Sequence, residues 1–370
     1  MTPARDTASI AAPTTTAAPT TTDAPTTTAA PTTADAPAVS YRYEDTPGRF
    51  TAAVRGRLPS ISAAHYRRVL AVAVGLVALI IFTGAIVRLT GSGLGCPTWP
   101  RCSVNGFLAA SNNHARIELF NRYLTGWIAA AVVVLGLTSV VRRPYRRSLV
   151  RLSLLLLVGV VGQAVLGGFT VLLKLKPQAV MGHFLLSIAL LSAALVLYEH
   201  AQQDLGTRPL LVGSVRVRPA RWALVTSAAA TVALGTVVTS SGPHGGDDIA
   251  ERFAYSMRDV ARLHSGAAWI LVLSALVVGW AVRHPATPAE VVVRRRISVL
   301  FAVLLVQGTI GYVQYITRVP AWLVAVHILG VVAVWVATLR VFFAMRTPAN
   351  GRERTGIAVD TVRSSSILMR

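Results

Sequence analysis

The chain has 370 residues, of which 53% are apolar and 14% charged, with a mean hydropathy of +0.56. That excludes the soluble classes and leaves a polytopic membrane protein. A net charge of +21 would suggest nucleic acid as the partner of a soluble chain, but here the arginines sit between apolar segments, so topology accounts for them.

Residues 1–40 are Thr, Ala and Pro in near-repeats, a composition that cannot bury enough apolar surface to offset ordering, so residues 1–65 are read as a disordered tail. The tail lacks the basic start and apolar core of a signal peptide. Eight apolar segments follow, each near the roughly 20 residues a bilayer crossing needs. They are Val69–Leu89, Tyr123–Val141, Leu152–Leu173, Ala179–Tyr198, Trp222–Thr239, Leu263–Val282, Ile297–Ile316 and Trp322–Val341. Only Lys174 and Lys176 are lysines among 36 basic residues, an Arg-for-Lys usage that suggests a GC-rich bacterial genome.

Arginines orient the spans. Arg55, Arg57, Arg67 and Arg68 precede the first, and Arg142, Arg143, Arg146, Arg147 and Arg151 fill the loop after the second. Arg208, Arg216, Arg218 and Arg221 follow the fourth, Arg283, Arg294, Arg295 and Arg296 the sixth, and Arg340 and Arg346 close the eighth. The positive-inside rule then makes both termini cytoplasmic and the odd-numbered loops external. Cys96 and Cys102, in CPTWPRC, fall in the first external loop, where a disulfide persists; two thiols do not complete a tetrahedral metal set.

QAVLGGFTVLLKLKPQAVMGH at 163–183 returns loosely as QGTIGYVQYITRVPAWLVAVH at 307–327. Gln163 and Gln307, Gly167 and Gly311, Lys174 and Arg318, and His183 and His327 are each 144 residues apart, while Asn121 and His264 are 143 apart. This spacing predicts an internal duplication of two four-helix halves, 66–200 and 220–345, joined by a linker at 201–219 and followed by a tail at 346–370. The halves share one orientation, a parallel repeat about an axis along the membrane normal. The fold class is therefore all-α, with eight transmembrane helices in two bundles.

A histidine on each of two facing helices is what axial haem ligation requires. His264 and His327 meet the requirement in the second half; in the first, Asn121 replaces one ligand and His183 remains. A lone intramembrane histidine is also commonly a packed, hydrogen-bonded residue, and the matched positions favour ligation. His65, His200 and His284 read as solvated residues at cytoplasmic edges, and His114 and His244 as external loop residues. Glu118 lies three residues before Asn121 at the mouth of the second span, and an ionisable group there is a functional candidate. Arg122 can pair with it at i,i+4 or with a porphyrin propionate, or the two can be an ion pair fixing the helix end.

TGSGLGCPTWPRC, IELFNR and the duplicated histidines together resemble the haem A synthase family over roughly residues 66–345. The resemblance implies an eight-helix membrane oxidoreductase that converts the C8 methyl of haem O to the formyl of haem A by successive hydroxylations, for terminal oxidase biogenesis. Carried over by position, it implies His264 and His327 as ligands of a haem b cofactor and His183 facing the substrate haem. It further implies Glu118 as the acidic residue used in catalysis, moving protons or stabilising a cationic intermediate, and a Cys96–Cys102 disulfide. The implied partners are haem O, the lipid bilayer, an electron donor and the preceding haem O synthase, with the haem sites toward the external side.

The chain departs from the family at one position. Where the family pattern has Glu-x-x-His-Arg, this chain has Glu118-Leu-Phe-Asn121-Arg122. Asparagine is a poor axial ligand, so His183 alone would hold the substrate iron, with Asn121 hydrogen-bonding a water or oxygen species on the open face. Three rivals are weighed against this reading. An electron-transfer cytochrome with a bis-His haem b accounts for His264 and His327 but gives Glu118 and the cysteine loop no role. A transporter places its site near the midplane, whereas these residues cluster at the external ends. A prenyltransferase would rest on Asp247-Asp248-x-x-Glu251 alone.

Overall fold

The computed structural model describes residues 46–103, 112–202, 209–211 and 217–348. The repetitive segment 1–40, most of the linker and nearly all of the C-terminal tail lie outside them. Among the described residues are nine helices: α1 (Arg49–Arg57), α2 (Ala63–Leu89), α3 (Asn113–Val141), α4 (Arg147–Leu172), α5 (Pro177–Gln202), α6 (Val217–Ser241), α7 (Met257–Ala281), α8 (Pro288–Ile316) and α9 (Ala321–Ala344). All but α1 are long and apolar enough to cross a membrane. Large side chains such as Trp127, Leu305 and Ile316 stand exposed on the outside, as lipid-facing residues do.

Each expected span has its helix, but the helices run beyond the apolar windows. Asn112 caps α3 by accepting from Ala115 N at 2.7 Å, so that helix starts ten residues before the expected Tyr123 and contains Glu118, Asn121 and Arg122. Thr287 and Glu290 form a capping box that starts α8 nine residues before the expected Ile297. Inside the segment assigned to the disordered tail, α1 is helical, and its Arg55 donates to the carbonyls of Val140 and Arg142. Two short strand pairs complete the described chain: β1 (Ile61–Ser62) beside β2 (Arg142–Arg143), parallel, and β3 (Pro209–Leu211) against β4 (Arg346–Pro348), antiparallel.

Helices α2–α5 pack as one four-helix group and α6–α9 as another, meeting through α2, α5, α6 and α9. Burial follows fixed offsets. Ala73, Val77, Ile81 and Ala85 of α2 are buried, as are Leu224, Ala228, Val232 and Thr236 of α6, each 151 residues on. Ile128, Val132 and Leu135 of α3 match Leu271, Ala275 and Val278 of α7 at 143. Leu149 and Leu156 match Val293 and Leu300, and Leu191 and Leu197 match Trp335 and Val341, all at 144. The turns match too: Lys174 and Leu175 adopt φ of 51° and 58°, and Arg318 and Val319, again 144 on, adopt 62° and 60°. Left-handed pairs are uncommon for non-glycine residues, so this shared turn is a specific likeness.

The groups are tied together at the end bearing the cysteine loop. Arg88, in the last turn of α2, donates to His244 O at 2.8 Å and Thr239 O at 3.0 Å. Gly93 N donates to the carbonyl of Gly246, whose φ of +104° requires glycine. Deeper in the bundle, Trp335 Nε1 donates to Ser192 Oγ at 2.8 Å.

Candidate functional site

In the second group α6, α7 and α9 present one constellation. The rings of His264 (α7) and His327 (α9) have centroids 6.3 Å apart. Each is seated on a glycine of the neighbouring helix: a Cβ on Gly235 would lie 3.0 Å from His264 Cε1, and one on Gly311 would lie 3.2 Å from His327 Cε1. A side chain at either position would crowd the ring by a few tenths of an ångström. His264 Nδ1 donates to Thr231 O at 2.9 Å, which assigns Nε2 as the free nitrogen. Gln307 Nε2 donates to the His327 backbone carbonyl at 2.9 Å, while His327 Nδ1 and Gln307 Oε1 are buried without a hydrogen-bond partner.

This arrangement fits a metal held between two imidazoles. Metal–nitrogen bonds of about 2 Å on each side, with ring centres roughly 1 Å beyond each nitrogen, put two axial imidazoles about 6 Å apart. A histidine oriented by a backbone carbonyl through its second nitrogen is the usual support for a ligand. Orphaned buried nitrogens of this kind are costly in a finished core and point to a bound group.

The first group repeats half of this. His183 rests on Gly167, where a Cβ would lie 2.9 Å from its Cε1, and Gln163 Nε2 donates to His183 O at 2.9 Å. His183 Nδ1 and Gln163 Oε1 are buried without a partner, as at His327 and Gln307. The repeated glutamine is thereby explained: it satisfies the carbonyl of the histidine's own helix. On α3, Asn121 accepts at Oδ1 from Thr83 Oγ1 at 2.9 Å.

Glu118 and Arg122 are absorbed by the cysteine loop. Cys96 and Cys102 form a disulfide, with an S–S distance of 2.03 Å. Glu118 is 5% exposed; its Oε2 accepts from Cys96 N at 2.7 Å and its Oε1 from Arg122 at 2.5 and 3.1 Å. The Arg122 guanidinium also donates to the carbonyls of Thr98 (2.9 Å), Arg101 (3.2 Å), Cys96 (3.3 Å) and Pro100 (3.4 Å). Arg122 thus makes the i,i+4 pair with Glu118. The loop also reaches α4: Trp99 lies where a Cβ on Gly168 would be only 2.5 Å from its ring, next to the glycine that seats His183.

Four other histidines make local hydrogen bonds. His200 lies within α5, not in a solvated loop, and its Nε2 is 2.9 Å from Ser148 Oγ. His244 Nε2 donates to Val319 O at 2.9 Å, His114 is 3.0 Å from Ser92 Oγ, and His65 is 2.9 Å from Ser62 Oγ. Asp247 Oδ1 accepts from Ile249 N in a local turn. Sequence reasoning missed Thr231, Gly235, Thr83, Gly84 and Trp99. Aligning TGAIVRLTG at 83–91 with LGTVVTSSG at 234–242 pairs Gly84 with Gly235 and Gly91 with Gly242, and was the available signal.

Comparison with known proteins gives concordant results. The family described as cytochrome oxidase assembly protein matches residues 67–116 and 103–339, well over half the chain. A heme A synthase from Shewanella oneidensis is 31% identical over 148 residues, 35% of this chain and 42% of that protein. One from Listeria welshimeri is 26% identical over 265 residues, 67% of this chain and 85% of the relative. One from Alkalihalophilus pseudofirmus is 27% identical over 129 residues, 35% of this chain and 43% of the relative. The chain thus spans less than half the length of the first and third of these relatives.

Proposed function

The chain belongs to the cytochrome oxidase assembly protein family, and from that membership we propose that it is a haem A synthase, oxidising the C8 methyl of haem O to the formyl of haem A. The observation that carries the reading is the His264–His327 pair, with ring centroids 6.3 Å apart and His264 oriented by Thr231 O. Those two imidazoles hold haem b, and a haem in that position supplies one-electron redox chemistry that no side chain offers. His183, on its own glycine seat in the first group, faces the iron of the substrate haem O. Both sites lie toward the end bearing the cysteine loop, which the arginine distribution makes external, with both termini cytoplasmic.

Glu118 serves the reaction as a fixed negative charge. Its two oxygens are aimed by Cys96 N and Arg122, a donor set suited to a carboxylate, and a preorganised charge stabilises positive charge developing at the methyl carbon. Trp99, laid over Gly168, helps exclude water from the first-group site. An electron donor and the preceding haem O synthase complete the proposed partners.

The haem b assignment is tested by spectroscopy of purified variants. His264→Ala and His327→Ala each remove the six-coordinate haem spectrum of the second group, and His183→Ala leaves it in place. A second-group spectrum that survives His264→Ala contradicts the assignment.

A further inference from the structure

Resting on that reading, we infer that the first-group iron site keeps one face open as a binding site for a small ligand no larger than an imidazole ring, walled by Asn121, Thr83 and Gly84. The argument starts from the register of α2 on α6. Four buried pairs fix the offset at 151, which sets Ile80 opposite Thr231 and Gly84 opposite Gly235.

In the second group Thr231 O orients His264 and Gly235 makes room for its ring. In the first group the room is kept and the ring is gone. A Cβ on Gly84 would meet nothing within 4 Å. The carbonyl corresponding to Thr231 O, that of Ile80, lies 3.3 Å from the Thr83 hydroxyl, which is also 2.9 Å from Asn121 Oδ1. Asn121 Oδ1 is thus engaged, while its Nδ2 makes no hydrogen bond among the described residues and remains a donor.

The opposite side of the site is copied in outline: glycine seat, histidine, glutamine bond and orphaned Nδ1 all recur at 144 residues, while Gln163 Nε2 also lies 2.5 Å from Ser187 Oγ and 3.4 Å from His183 Nε2. One wall is therefore a full ligand and the other is an amide–hydroxyl pair beside unused space. An amide is a poor iron ligand but a good hydrogen-bond donor to something bound at the iron.

The test uses the full-length protein purified with haem b and haem O bound, with imidazole and azide as probes. The first-group iron should give a high-spin signal beside the low-spin signal of the second group, and either probe should convert the former to low-spin. Gly84→Leu, filling the unused space, should weaken imidazole binding by about tenfold or more, the scale of an overpacking penalty. It should leave the second-group signal unchanged. Asn121→His should abolish the high-spin signal with no probe added. Bound haem O that is already low-spin and insensitive to both probes overturns the inference while leaving the proposed function standing. Protein that retains haem b but never haem O overturns the proposed function, and the inference with it.

Discussion

Replacing Arg122 with Met tests how far the cysteine loop depends on one buried ion pair. Glu118 and Arg122 side chains are 7% and 18% exposed, and the guanidinium spans the carboxylate and four loop carbonyls. Without Arg122, Glu118 keeps only the Cys96 amide. Breaking a buried pair by removing one partner costs about 3–5 kcal/mol, most of it from the stranded charge. Part of that cost should return when the charge goes too, so Arg122→Met with Glu118→Gln should be more stable than Arg122→Met alone by about 1–2 kcal/mol. Unfolding of the purified variants in mixed detergent micelles measures both quantities. An Arg122→Met protein within about 1 kcal/mol of wild type, or a double variant less stable than the single, would refute the reasoning.

Other consequences follow from the same contacts. Gly167→Val should displace His183, because even a Cβ there would lie 2.9 Å from its ring; loss of bound haem O with haem b retained is the expected outcome, read by haem extraction. Cys96→Ser with Cys102→Ser opens a loop of seven residues and should cost about 2 kcal/mol in the chain-entropy account, measured by the same unfolding assay. In that double serine variant, a cysteine placed at the exposed Asp248 should react with a membrane-impermeant maleimide added outside intact cells; labelling only after lysis would reverse the topology. Gln307→Ala should cost about 1 kcal/mol, the worth of the bond to His327 O, while leaving the haem b ligands in place.

The eight spans were legible because each is a long apolar run, and Gln, Gly and His recur at one offset between the two sets of four. His183, His264, His327 and the cysteine pair were legible for the same reason: rare residues stand out in apolar sequence. Helix starts were not, since Asn112 and Thr287 set them through caps outside the apolar windows. Nor was the function of the glycines. A glycine in a membrane helix has many uses, and only the approach of a ring to Gly167, Gly235 and Gly311 shows which are seats. The short helix α1 was hidden within the tail because Arg55 is held by backbone carbonyls of α3 and β2, a contact with no sequence pattern.

The most direct test of the central claim is chromatography of the haems extracted from the purified protein after expression beside a haem O source. The account predicts haem b together with haem O, haem A or a hydroxylated intermediate. Haem b alone, with haem O available in the membrane, would contradict it and leave a bis-His electron-transfer cytochrome.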